Sequence, residues 1–309
     1  MKTQISKQHT NAVSVQSQNT FRKEDRVKKQ NSTKLKLAAI CAMVVITTLT
    51  ASATWPPCDP APTTTMVAWY PFDELDGSGF SANLATQNTG TWNGAVVSGW
   101  PGYIGQSSLV LDGSTAYVES PSSIATNFGP GINTNPWCGG AYSTCWGDFS
   151  IAVWIRVPYQ DSGVHTIVDK RSGTAPNIYG YSLALRQGRL LLELADGTGA
   201  SGYTDFLSSD WLNVYGTGWH HIAVTVTRTT PAGIIFYFDG NPTGFNFDPT
   251  VRPGSLVNNS PLRIGASSGP SPANFFFGSM DELQIWNRSL YWFEVTNIFN
   301  AGSSGVCKP

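Results

Sequence analysis

From residue 66 onward the chain reads as short apolar runs broken by Gly, Pro, Asn, Asp and Ser, and helical periodicity is nearly absent. The runs predict strands over 66–70, 91–97, 108–112, 116–118, 149–157, 165–169, 181–186, 189–194, 221–228, 234–238, 275–277 and 283–286. Gln187-Gly188 and Asp239-Gly240 are turn signals, the first between two of these runs. The segment 149–157 is long and mostly apolar, as a central strand should be. One short helix is predicted, over 289–299. About a dozen strands without a βαβ rhythm imply an all-β fold, an antiparallel two-sheet sandwich or jelly roll. Residues 54–65 form a Pro/Thr-rich lead-in, and 66–309 read as one domain.

The first 53 residues follow different rules. Residues 1–36 are polar and basic, an apolar stretch runs from 37 to 50, and Ala51-Ser52-Ala53 follows as a small-residue cleavage pattern. That order predicts a secretory signal peptide over 1–53. The apolar stretch is shorter than the ~20 residues that span a bilayer, so no membrane span is expected after cleavage. An uncleaved N-terminal anchor is the alternative.

Composition agrees with an extracellular β protein. Charged residues are 13% of the 309, about half the usual share, while aromatics reach 12% with 11 Trp. The net charge of −1 is unevenly placed, because nine Lys/Arg fall in residues 1–53 beside only Glu24 and Asp25. The remainder is acidic, which argues against nucleic acid as a partner. Beyond the leader stand Cys58, Cys138, Cys145 and Cys307, an even count that suggests disulfides in a secreted chain. Three pairings are possible. Cys138 and Cys145 can close a small ring, leaving Cys58 and Cys307 near the two ends, and this pairing is favoured.

Five segments carry a resemblance. Val67-Ala68-Trp69-Tyr70-Pro71-Phe72-Asp73-Glu74 comes first, and Leu109-Val110-Leu111-Asp112-Gly113 runs on to Tyr117-Val118. Phe149–Trp154 follows. Trp219-His220-His221-Ile222-Ala223 precedes Tyr237-Phe238-Asp239-Gly240. Gly278-Ser279-Met280-Asp281-Glu282-Leu283 continues to Asn287-Arg288-Ser289-Leu290. In this order they resemble the laminin-G-like, concanavalin A-like jelly rolls of secreted bacterial proteins. The resemblance implies a two-sheet jelly roll, and it supports a 58–307 disulfide joining the segments before the first strand and after the last helix. It also implies a Ca²⁺ site at a loop over 83–91, with Asn83 and the Asp281-Glu282 pair as ligands. Asn83 stands where the family has Asp, and Thr86 where it has Gly, so a neutral carbonyl replaces a carboxylate and affinity should fall. The competing role for Asp281 is to pin a loop through hydrogen bonds.

Two loops carry candidate binding aromatics. One, over 128–146, holds Trp137, Tyr142 and Trp146 around the proposed 138–145 ring. The other, over 195–218, holds Tyr203, Trp211 and Tyr215. Such rings stack on sugars or anchor protein partners, or else pack over the sandwich. Trp154, Trp219 and Trp286 are expected in the core or at its rim. One of His220 and His221 is expected to satisfy a buried backbone carbonyl. The acidic residues Glu193, Asp196, Asp205 and Asp210 show no paired-carboxylate strand signature, and no nucleophile elbow, zinc motif or P-loop is present. The sequence therefore predicts a secreted, non-catalytic module that binds an extracellular glycan or protein surface. A glycan-cleaving enzyme of the same fold and a self-assembling surface protein are the alternatives.

Overall fold

In the computed structural model, which describes residues 65–131, 147–159, 162–269 and 271–308, the apolar run Phe149–Arg156 is a strand buried on both faces. The chain divides into Met1–Trp55 and Pro56–Pro309, and every described residue belongs to the second unit. Its strands are β1 (Met66–Tyr70), β2 (Phe80–Ser81), β3 (Gly90–Asn93), β4 (Val97–Gly99), β5 (Ser108–Asp112), β6 (Tyr117–Ser120), β7 (Phe149–Arg156) and β8 (Val164–Thr174). They continue as β9 (Asn177–Arg186), β10 (Arg189–Thr198), β11 (Gly202–Leu207), β12 (His220–Val226), β13 (Ile234–Phe238), β14 (Asn241–Phe247), β15 (Leu262–Ile264) and β16 (Phe277–Trp286). Helix α1 (Trp292–Asn300) follows. None of the described helices is long and apolar enough to cross a membrane.

The strands form two antiparallel sheets. The first runs β14-β13-β12-β7-β16-β5-β4, with β1 also on β16, and the second runs β11-β10-β9-β8-β15-β6-β3-β2. Inward residues interlock between them: Ile151, Val153, Ile155, Ile222 and Val224 from the first, Leu183, Leu185, Leu190, Leu192 and Leu194 from the second. Each such side chain taken from water contributes about 1.5–3 kcal/mol. The outward residues of the first sheet are also apolar. Trp69, Ala152, Ala223, Tyr237 and Trp286 lie under Val295 and Ile298 of α1 and Val306 of the C-terminal segment. Burial on both faces explains why β7 lacks the alternation of a half-exposed strand.

Several expected boundaries move. The run 91–97 splits between the two sheets at Gly94, whose φ is +70° and whose Cβ would lie 2.1 Å from Thr115 O. The expected strands at 275–277 and 283–286 are replaced by a single strand, β16, which takes in only Phe277 of the first run. Its register shifts between Asp281 and Gln284, and Glu282 has φ +53°. Strand β14 contains Pro242 and Gly244 and is mostly exposed at a sheet edge, where that composition is tolerated. The helix begins later than 289. Ser150 Oγ donates to Arg288 O (2.9 Å) and accepts from Leu290 N (2.8 Å), which holds that segment against β7.

Cys58, Cys138, Cys145, Trp137, Tyr142 and Trp146 lie outside the described residues, as do the leader and most of the lead-in. Cys307 is disulfide-bonded. Trp154 and Trp286 are buried and Trp219 is half-buried. The histidine pair behaves differently from expectation. His220 bonds Asp239 Oδ2 (2.9 Å) and Thr217 Oγ1 (2.7 Å), both side chains. His221 is buried among Trp154 and Phe299, and neither ring nitrogen has a hydrogen-bond partner among the described residues. The ring sits beside Trp154 and Phe299 and faces a small cavity that it shares with Ile104, Gln284 and Ile298, so no backbone carbonyl among the described residues lies within hydrogen-bond reach.

Burial lowers the His221 pKa to about 3, so the folded protein holds the neutral ring. The unfolded chain takes up a proton near the ordinary value of about 6.5, so stability is lost as pH falls from there toward the folded value. His221→Leu removes two unpartnered polar atoms, each costing about 1–3 kcal/mol. Melting temperatures followed from pH 7 to pH 4 should therefore fall less in the variant than in the parent. Parallel falls would show that His221 does not set the acid limb.

Candidate binding surface

The outer face of the second sheet is polar where its inner face is apolar. Register places the polar residues in one line across seven strands. Asp205 pairs with Glu193, Glu193 with Ser182, Ser182 with Asp169, Asp169 with Arg263, Arg263 with Glu119, and Glu119 with Thr91. Neighbouring strands are about 4.8 Å apart, so the line presents a polar side chain at each such step.

Two guanidinium groups organise this line. Arg171, two residues beyond Asp169 on β8, donates from Nε to Asp169 Oδ1 (3.1 Å) and Oδ2 (2.9 Å). Its Nη2 also meets Asp169, and its Nη1 meets Glu193 Oε1. Arg263 donates from Nε to Glu119 Oε2 (2.9 Å) and from Nη1 to the carbonyls of Ser267 (3.1 Å) and Gly269 (3.2 Å). Its guanidinium lies 5.5 Å from the centre of the Tyr117 ring. Between them is a groove of about 280 Å³, lined by Arg171, Ser172, Thr174, Ser260, Arg263 and Ser268 among others.

Burial alone would disfavour the Arg171 charge, but Asp169 and Glu193 outweigh it and push its pKa above the ordinary value. Burial pushes the Glu193 carboxyl up, against the pull of Arg171. Beneath the groove, Lys170 is buried, and its Nζ donates to Asn258 O (3.1 Å) and Ser260 O (3.0 Å), fixing one wall. Burial lowers the Lys170 pKa to about 8.

The aromatic candidates do not form one site. Tyr203 lies on β11, not in a loop, half-buried and two residues before Asp205, so it shares the outer face. Trp211 lies beyond the other end of β11, where Leu212 N bonds Gly188 O (2.7 Å) at the β9–β10 turn. It is 64% exposed, with the Arg189 guanidinium 6.0 Å from its ring. Tyr203 and the end of β11 are separated by roughly 13 Å of strand. Tyr215 bridges to Val157 instead.

The oxygens considered for calcium are otherwise engaged. Asn83 Oδ1 accepts the amides of Trp69 (3.0 Å), Ala85 (3.1 Å) and Thr86 (3.2 Å). Asp281 Oδ2 accepts those of Tyr103 (2.8 Å) and Ile104 (2.9 Å), the loop-pinning role. Glu282 Oε2 accepts from Trp69 Nε1, and its Oε1 faces the Lys308 ammonium at 3.1 Å. Calcium needs six to eight oxygens turned to one point. Among the described residues no group of three or more His, Cys, Asp or Glu is arranged to hold a metal. These residues, as placed, do not fit the ion.

The Laminin_G_3 family model, described as the concanavalin A-like lectin/glucanases superfamily, matches residues 112–296, more than half of the chain. This chain belongs to that superfamily. No curated protein matches it. Among solved structures, this concanavalin A-like domain is similar to the binding domain of Paraclostridial Mosquitocidal Protein 1, at 18% identity and a TM-score of 0.56, covering 77% of this chain and 52% of that one. It is similar to the botulinum neurotoxin serotype G binding domain, at 16% identity and a TM-score of 0.51, covering 76% and 50%. A third is the binding domain of botulinum neurotoxin DC in complex with SialylT, at 13% identity and a TM-score of 0.50, covering 77% and 52%. The domain thus spans about half the length of each of these chains, and at such identity the likeness is one of fold.

The line of polar residues escaped sequence reading because it exists only through cross-strand register. The available signal was the polar triplet Asp169-Lys170-Arg171 directly after the apolar pair Ile167-Val168 of β8. Arg171→Met would leave the buried Asp169 and Glu193 carboxylates facing each other without their cation. Unfolding in urea should show a loss of about 3–5 kcal/mol. A loss within experimental scatter would mean that Arg171 does not hold the line together.

Proposed function

We propose that this domain is a non-catalytic, extracellular binding module that takes a neutral glycan across the outer face of its second sheet. The observation that carries the reading is the line from Asp205 to Glu119, with two guanidinium groups fixed by carboxylates beside a groove of about 280 Å³. Sugar hydroxyls both donate and accept. A surface that holds acceptors (Asp205, Glu193, Glu119) and donors (Arg171, Arg263) side by side suits them. Because each guanidinium is already held by a carboxylate, little side-chain freedom remains to be lost on binding. Arg171 and Arg263 face Asp169, Glu193 and Glu119, so the surface offers no cationic excess to favour a polyanion. Tyr203, on the same face, adds a ring for stacking worth on the order of 1 kcal/mol.

A non-catalytic role is supported by the carboxylates themselves. Glycoside hydrolysis needs one carboxyl to hand over a proton and a second free to act as nucleophile or base. Asp169 and Glu193 are both engaged by the same guanidinium. A location outside the cell is supported by the disulfide at Cys307 and by the signal-like order of residues 1–53. The binding domains of similar fold, one of them in complex with SialylT, are consistent with the same general use of the sandwich.

A glycan array probed with the parent chain and with Arg263→Ala tests this, with reducing-sugar release measured on each glycan bound. Neutral glycans should be retained by the parent, and retention should fall at least about tenfold in the variant, the loss of one charge-assisted hydrogen bond. Binding that survives Arg263→Ala unchanged, or release of reducing ends, would contradict the reading.

A further inference from the structure

The chain enters the sandwich against the start of α1. Thr65 O accepts from Asn287 N (3.0 Å), and Thr65 Oγ1 accepts from Arg288 Nε (3.1 Å). The same guanidinium donates from Nη1 to Glu294 Oε2 (2.7 Å) and from Nη2 to Glu294 Oε1 (2.6 Å), in the first turn of the helix. Glu294 Oε2 also accepts from Tyr291 N (2.8 Å). Arg288 is buried, so one cation fastens the point where the chain arrives to the N-terminus of α1.

Beside that point stand three consecutive exposed aromatic side chains. Tyr291, Trp292 and Phe293 are 46%, 63% and 47% exposed. Tyr291 and Phe293 stack with their centres 5.4 Å apart and their planes 7° from parallel, and Trp292 stands edge-on to Phe293 at 6.0 Å. The helix meets the first sheet through other residues, Val295 and Ile298. The three rings form an apolar ledge apart from that packing, and an exposed apolar run of this kind marks a surface that something covers.

The sequence immediately before Thr65 suits such a ledge. It reads Pro56-Pro57-Cys58-Asp59-Pro60-Ala61-Pro62-Thr63-Thr64. Proline fixes its own φ and keeps the preceding residue extended, so this composition favours the polyproline helix, with three residues per turn. Pro57 and Pro60, three apart, then share one face, as do Pro56 and Pro62, six apart. Proline faces dock on aromatic side chains, and little conformational freedom is lost because the helix is preformed. Nine residues at 3.1 Å each reach about 28 Å from Thr65, about twice the length of the nine-residue α1. A tether this short holds the prolines near the ledge at a concentration on the order of mM, more than a separate partner ordinarily reaches.

We infer that residues 56–64 lie across the start of α1 with their prolines seated on Tyr291, Trp292 and Phe293, so that the stretch leading into the domain is a fixed strap. The ledge is then occupied from within the chain and is not a surface for a second protein. This inference is independent of the glycan reading, because α1 covers the first sheet and the proposed ligand face is on the second.

Hydroxyl-radical labelling of the full chain, read residue by residue by mass spectrometry, tests this at low and high protein concentration. Trp211 serves as the reference, because it is 64% exposed against 63% for Trp292. In the parent, Trp292 should be labelled at least about threefold more slowly than Trp211, the ratio for a ledge covered two-thirds of the time. Replacing the prolines (Pro56→Gly, Pro57→Gly, Pro60→Gly and Pro62→Gly), which leaves Cys58 and the sandwich untouched, should bring the two rates together. A benzophenone amino acid in place of Trp292 should, on irradiation, crosslink to 56–64 of the same chain. Equal labelling of Trp292 and Trp211 in the parent would overturn the inference. So would protection that survives the proline replacements, protection that grows with protein concentration, as a second copy would give, or a crosslink that never reaches 56–64.

Discussion

The central strands of the first sheet are buried on both faces, and this asymmetry governs the rest of the domain. Helix α1 and the C-terminal segment lie over Trp69, Ala152, Tyr237 and Trp286, so the strands β7, β12 and β16 are largely buried inside and out. The second sheet carries its apolar residues inward and its charged residues outward. Two-sided burial fixes the position of the first sheet, and the second is then held against it by Leu183, Leu185, Leu190 and Leu192. Its outer residues are released from packing to serve chemistry.

What keeps that outer face ordered is charge pairing in partial burial. Asp169 is fully buried, and an isolated carboxylate there would cost several kcal/mol. Arg171 offsets that cost only because its planar fork reaches Asp169 and Glu193 together. Lysine at this position could not span both with the same geometry. Arg263 repeats the arrangement on β15, the strand between β8 and β6, with Glu119 and two loop carbonyls as its partners. The geometry of the surface is therefore set before any ligand arrives.

Much of the fold could be read from local pattern. The strands at 66–70, 108–112 and 234–238 have the bounds that their apolar runs suggested, and both Gln187-Gly188 and Asp239-Gly240 turn between strands. Strands that depend on neighbours were harder. β2 and β15 are too short to show a period, β14 contains Pro242 and Gly244, and Gly197, Gly199 and Gly202 made β11 look like loop. The site was less legible than the fold. Tyr203 could be noticed as an aromatic, but its company of Asp205 and Glu193 follows from pairing between β10 and β11. The calcium reading followed motif letters at Asn83 and Asp281. It could not foresee that backbone amides would take up their oxygens, or that Lys308 would stand beside Glu282.

The central claim is that ligand meets the outer face of the second sheet. Backbone amide shifts in the isotope-labelled protein, followed while a mixture of neutral oligosaccharides is added, test it most directly. Saturable changes are expected, confined to 169–174, 180–182, 193–195, 203–205 and 260–269. Saturable changes confined instead to α1, to Trp100 and its loop, or to Trp211 would contradict it.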